Sequence, residues 1–136
     1  MKTLFICRAN AIRSQIAEAF YRHLSTTESA SSAGVDLINS IQGIDMEVPA
    51  MVHELLEHFG IDAHSQKRKW LTKEMVTKAD IVVILTTYPL PGFVQKAKKL
   101  INWSDIPDIV SASEEVQKEV GAEIKERVLA LVKASN

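Results

Sequence analysis

The run Ile81-Val82-Val83-Ile84-Leu85 constrains the fold more than any other stretch of this 136-residue chain. A strand with one face in water alternates apolar and polar side chains. This run is apolar throughout, which predicts a central strand covered on both faces. Covering both faces takes helices on both sides of a sheet, the α/β arrangement with mainly parallel strands. The rest of the chain supplies the parts by alternating short apolar runs with helical periodicities.

Thr3 to Cys7 reads as a first strand. Ser14 then opens a helix whose apolar positions Ile16, Ala17, Phe20, Tyr21 and Leu24 form one buried stripe. Ala30 to Ala33 is a second strand ending at Gly34. Pro49 begins a helix carrying Met51, Val52, Leu55, Leu56 and Phe59, and Gly60 stops it. Thr72 caps a short third helix. Pro91 to Leu100 reads as helical and Ile101 to Ile106 as a last strand. Ser113-Glu114-Glu115 starts a long terminal helix with Val116, Val120, Ile124, Val128 and Leu131 facing inward. Four strands and about five helices are expected, in one domain spanning residues 1–136.

No apolar run approaches the roughly 18 residues of a membrane span. Sixteen basic residues against seventeen acidic ones give a formal charge of −1, too little field to attract nucleic acid or an anionic membrane. Lys67-Arg68-Lys69, and Lys96 with Lys98-Lys99, read as solvated faces. The amino terminus shows no secretory pattern and the single cysteine can form no internal disulfide, so a reducing, cytoplasmic setting is expected. The histidines His23, His53, His58 and His64 show no metal-ligand spacing, and neither a metal nor another cofactor is expected.

That cysteine, Cys7, stands at the carboxyl end of the first strand, where open parallel sheets bind their ligands. Residues Arg8, Ala9, Asn10, Ala11 and Ile12 then form the turn into the first helix. Their backbone N–H groups can converge on an anion, reinforced by the helix dipole. Amide dipoles and a nearby guanidinium also favour a thiolate over a thiol, making Cys7 a candidate nucleophile. Arg13 offers a planar fork of donors matched to two oxygens of a phosphoryl group. Ser14 can donate its hydroxyl hydrogen to the sulfur.

With Cys7, Asn10, Arg13 and Ser14 in place, CRANAIRS resembles the phosphate-binding loop of the low-molecular-weight protein tyrosine phosphatases and of the arsenate reductases that share their fold. Gln15-Ile16-Ala17-Glu18, Ser32-Ala33-Gly34, HELLEHFGIDAH ending at His64, Leu71-Thr72, the IVVIL strand, Asn102-Trp103 and Ile106-Pro107-Asp108 follow in the family's order. The resemblance covers nearly the whole chain. It implies a three-layer, flavodoxin-like domain with a four-stranded parallel sheet in the order 2-1-3-4. It also implies a phosphomonoesterase with a cysteinyl-phosphate intermediate, Cys7 as nucleophile, Arg13 as phosphate clamp and Asp108, rather than neighbouring Asp105, as general acid. His64 matches a family position near the site and is read as structural; Trp70 and Trp103 are read as core or rim.

Several positions depart from that pattern. Ala9 stands where the phosphatases carry glycine, Ile12 where they carry a second cysteine, and Ile109 where they carry proline. No tyrosine follows Asp108, and no aromatic residue occurs from Val35 to Val48. The wall beside the substrate is therefore expected to be aliphatic, drawn from Leu37, Ile38 or Ile109. The partner can be a phosphorylated protein, a small phosphomonoester, phosphoarginine or arsenate. Gln15 leans towards the arsenate reductases. With one thiol, and Thr86-Thr87-Tyr88-Pro89 where a further cysteine would lie, only an external thiol could complete that reaction. A third alternative is a degenerate oxyanion-binding protein without turnover. The oligomeric state is not legible in the sequence.

Overall fold

The computed structural model describes residues 1–37 and 47–135. Four parallel strands form one sheet in the order β2-β1-β3-β4. They are β1 (Lys2–Cys7), β2 (Ser29–Gly34), β3 (Ile81–Ile84) and β4 (Leu100–Asn102). The α-helices are α1 (Arg13–Leu24), α2 (Ala50–His58), α3 (Lys73–Lys78) and α4 (Glu114–Ser135), with a 3-10 helix at Gly92–Lys96. This is the expected flavodoxin-like arrangement.

Side chains alternate across each central strand and so serve two cores. Phe5, Cys7, Val83 and Leu85 join the larger one with Ile16 and Phe20 of α1, Leu56 of α2 and Ile124 and Val128 of α4. Leu4, Ile6, Val82 and Ile84 join the smaller one with Val76 of α3 and Val94 of the 3-10 helix. The IVVIL run is thus covered on both faces, as expected. Cys7 faces the α1 side, so its sulfur is directed at the start of the helix that follows it.

Three elements differ from the sequence reading. The stretch from Pro91 forms only a 3-10 turn, with i to i+3 bonds from Val94 N–H to Pro91 O and from Ala97 N–H to Val94 O, each 3.1 Å. Pro89, Pro91 and Gly92 are poor helix formers. The last strand is shorter than Ile101 to Ile106 and begins at Leu100. Past Asn102 its side chain accepts the Ser104 N–H at 2.8 Å, and Ile106 N–H turns back to Trp103 O. In α4, Val116 lies in the first turn and is exposed, while the buried stripe runs through Ile124, Val128, Leu131 and Val132. The Thr72 cap forms as expected, its Oγ1 accepting the Met75 N–H. Among the described residues no helix is long and apolar enough to cross a membrane.

On α2, the His53 ring stacks on His64 at 4.0 Å and 7°. His64 Nδ1 lies 2.6 Å from Asp62 Oδ1. Burial, then the neighbouring His64 charge, hold the pKa of His53 below the ordinary 6.5, against the opposing pull of Asp62, Glu57 and Glu47. A base with a depressed folded-state pKa resists protonation only when folded, so stability falls as pH drops through 6.5. Urea unfolding at about pH 7.5 and about pH 5.5 should show a smaller acid loss for His53→Phe than for the parent chain. Equal losses would contradict this.

Candidate active site

The strand order places a topological switch between β1 and β3, where chains leave the sheet in opposite directions and a crevice opens beyond their carboxyl ends. Cys7 ends β1 in register with Gly34, and Ile6 is in register with Ile84. The loop 8–12 therefore leaves the middle of the sheet with β2 on one side and the segment after β3 on the other.

The loop's shape follows from where its carbonyls go. Arg8 O accepts N–H bonds from Val35 and Asp36, both 2.8 Å. Ala9 O accepts from Arg68 Nε and Nη2, both 3.2 Å. Asn10 O accepts from Gln15 Nε2 at 3.1 Å. These peptides are trans, so each N–H points opposite to its carbonyl. Turning three consecutive carbonyls outward turns the N–H groups of Ala9, Asn10 and Ala11 inward. The reversal needs a left-handed residue, and Asn10, at φ 52°, supplies it; asparagine tolerates that region better than most side chains. Helix α1 adds its own first-turn amides, because Ile12 at its cap has no side-chain acceptor to offer.

Gly34 is what lets the loop settle. A Cβ there would stand 2.6 Å from Asn10 N, 2.8 Å from Ala9 C and 2.8 Å from Arg8 O, all backbone atoms. Glycine at the end of β2 is therefore a requirement of the loop.

The sulfur of Cys7 is buried, 2.9 Å from Ser14 Oγ. Asn10 Nδ2 donates to the same oxygen at 2.8 Å. The orientation of this amide is set by Lys69, whose backbone N–H can only donate and meets Asn10 Oδ1 at 2.7 Å. With Asn10 donating to it, Ser14 Oγ still has its own hydrogen to offer the sulfur. Gln66 Nε2 holds Gln15 through its backbone and side-chain oxygens at 3.1 and 2.7 Å. The pedestal beneath the loop is thus hydrogen-bonded throughout.

Arg13, half-buried, donates to Ile106 O at 3.3 Å. That contact joins the loop to the segment carrying both aspartates. Asp105 is bound by Arg127 through two bonds, Nη1 to Oδ1 at 2.8 Å and Nη2 to Oδ2 at 2.6 Å, and this pairing lowers its pKa. Asp108 is exposed and accepts only the Val110 N–H, on Oδ1 at 3.0 Å, leaving Oδ2 unpartnered among the described residues. The two carboxylates thus differ in their surroundings, Asp105 paired with Arg127 and Asp108 open to solvent.

Two of the three residues expected in an aliphatic wall, Leu37 and Ile109, have no exposed surface, and Ile109 is part of the larger core; Ile38 lies outside the described residues. The aromatic group beside the loop is Tyr88, from the segment after β3, with the Arg8 guanidinium carbon 4.6 Å above its ring centroid. Arg8 also bonds Asp36 Oδ2 through Nε and Nη2, at 2.9 and 2.8 Å. Trp70, beside Gly34 in a short parallel bridge, is exposed, whereas Trp103 is core. His64 pairs with Asp62 at the surface, and Lys96, Lys98 and Lys99 are solvated as expected.

The reading of Lys67-Arg68-Lys69 as a solvated face fails at its centre. Arg68 is 1% exposed and among the largest fully buried side chains. The segment is extended, so alternate residues point inward: Gln66 and Arg68 are buried while Lys67 is exposed. Period-two burial was the signal available; a charge count hides it.

The first strand of this parallel α/β sheet thus ends in a buried cysteine, followed by a turn with one left-handed residue and by an arginine that starts α1. The sequence pattern described as "Low molecular weight phosphotyrosine protein phosphatase" matches residues 2–136, and the chain belongs to that family. One relative, the probable low molecular weight protein-tyrosine-phosphatase EpsP of Ralstonia nicotianae, is 30% identical over 82 residues, which are 60% of this chain and 53% of that protein. The match thus spans about half of that relative's length. Among solved structures, Vibrio vulnificus Wzb in complex with benzylphosphonate superposes with a TM-score of 0.82 at 22% identity, covering 98% of this chain and 97% of that one. An arsenate reductase in its phosphate-binding state gives 0.81 at 25% identity, covering 98% and 97%.

Proposed function

We propose that this chain is a phosphomonoesterase of the protein tyrosine phosphatase type, working through a phosphoryl group carried on Cys7. The observation that supports it best is that three consecutive loop carbonyls, of Arg8, Ala9 and Asn10, are each bonded to neighbouring segments, which leaves their trans-related amides free to face the sulfur that contacts Ser14 Oγ. A tetraoxy anion seated there would meet N–H donors and the Arg13 fork at its equatorial oxygens, with sulfur in line behind phosphorus.

In the first step the Cys7 thiolate attacks phosphorus and the P–O bond to the alcohol breaks. Asp108, protonated, gives its proton to the departing oxygen. In the second step a water attacks phosphorus, Asp108 takes the proton, and the P–S bond breaks to return the thiolate. Ser14 supports that departing sulfur by donation. A cytoplasmic, reducing setting keeps the only thiol available. Phosphotyrosine is the proposed substrate, since Tyr88 and Arg8 give the mouth of the cup an aromatic and cationic flank.

Asp108→Asn should lower kcat by about two to four orders of magnitude. The loss should be greater on phenyl phosphate than on p-nitrophenyl phosphate, whose phenolate leaves more readily without a proton. An unchanged rate on both esters would remove Asp108 from the mechanism. A panel of phosphotyrosine peptide, phosphoarginine, aryl phosphate and arsenate with thiols tests the reaction class. Aryl ester and phosphotyrosine turnover supports the proposal. Thiol-dependent arsenite formation alone would replace it with an arsenate reductase reading, and phosphate binding without turnover would leave an oxyanion-binding protein.

A further inference from the structure

Arg68 has no place in the steps above, yet a charged guanidinium is costly to bury unless its donors are satisfied. Its Nε and Nη2 both donate to Ala9 O, and Nη2 also reaches Leu37 O at 3.2 Å. Of the three outward carbonyls of the loop, the middle one is therefore held by a side chain from a distant segment. The other two are held by β2's continuation and by Gln15.

The middle peptide is also the one with an alternative. A peptide plane can rotate as a unit through compensating changes in ψ of one residue and φ of the next. For the Ala9–Asn10 plane that rotation would bring φ of Asn10 from 52° back to the negative range that L-residues prefer. It would also swing Ala9 O into the cup in place of the Asn10 N–H. An anion would then face a carbonyl oxygen where it now faces a donor.

We propose that Arg68 is a positioning residue that holds this peptide in its donor-inward orientation, and so sets the affinity of the cup for tetraoxy anions without touching them. The inference rests on the proposed role of the cup. Its test is chosen to separate the two, using Cys7, the only thiol in the chain, as reporter. Alkylation of Cys7 by iodoacetate is followed by mass spectrometry with increasing inorganic phosphate, and the phosphate concentration giving half-protection is read.

Arg68→Met should raise that concentration about tenfold, the usual weight of a hydrogen bond to a charged group, while circular dichroism still shows a cooperative melt. Arg68→Lys, which keeps the charge but cannot fork onto Ala9 O, should fall between the two. Half-protection of Arg68→Met at the parent concentration would overturn the inference, even with a lowered melting temperature, since a purely structural arginine would affect stability alone. If Arg68→Met does not fold, Arg68→Lys decides: weaker protection supports the inference and parental protection overturns it. No protection of the parent chain at any phosphate concentration would instead overturn the cup itself, and the inference with it.

Discussion

Cys7→Ser is expected to abolish hydrolysis of aryl phosphates, lowering kcat by about four orders of magnitude or more, the scale on which enzymes lose rate when their nucleophile is removed. A serine hydroxyl fits the space of the sulfur and can still meet Ser14 Oγ, so the fold and the phosphate affinity should persist. The combination is diagnostic. Loss of turnover with retained phosphate binding places Cys7 in the bond-making step. Retained turnover would show that another group attacks phosphorus, and loss of both would show that the cysteine serves the architecture of the cup.

Gly34→Ala carries the second large effect, on stability as well as binding. The added methyl would overlap three backbone atoms at 2.6 to 2.8 Å, and backbone cannot move aside as a flexible side chain can. Relief requires the loop to lift from the end of β2, breaking the bonds from Val35 and Asp36 to Arg8 O. A loss of about 3 kcal/mol is expected, at the upper end of overpacking costs, together with weakened phosphate protection of Cys7. Urea denaturation with an unchanged m-value would measure it. A variant as stable as the parent would mean that the loop does not rest on the strand as described.

Much of this architecture was legible because single residues carried unambiguous physics. The unbroken IVVIL run required two covered faces, Thr72 offered a cap, and CRANAIRS at a strand end offered an anion loop. Other features arise only when distant segments meet. The requirement for glycine at position 34 comes from its contact with residues 8–10, which no local pattern announces. Arg68 was hidden within a basic triplet because charge was weighed by composition, while the extended backbone assigned its neighbours to opposite sides. Leu37 and Ile109 were expected at a substrate wall because they fall where the family's aromatic wall lies, but position in the sequence does not distinguish a wall from a buried site. Val116 was drawn inward by periodicity, yet it lies on the exposed side of the first turn of α4. The resemblance singled out Asp108 over Asp105, but the pairing that occupies Asp105 was not legible, because Arg127, which captures it, is 22 residues further along the chain.

The central claim is that phosphoryl transfer passes through the sulfur held in this cup. Rapid denaturing quench of Asp108→Asn during turnover of p-nitrophenyl phosphate, whose leaving group needs the proton least, followed by mass analysis of the peptide containing Cys7, tests it most directly. Slowed hydrolysis in that variant should leave one phosphoryl group on Cys7, formed at the rate of the first burst of p-nitrophenol. A burst of p-nitrophenol with the phosphoryl group on a different residue, or with none on the protein, would contradict the account.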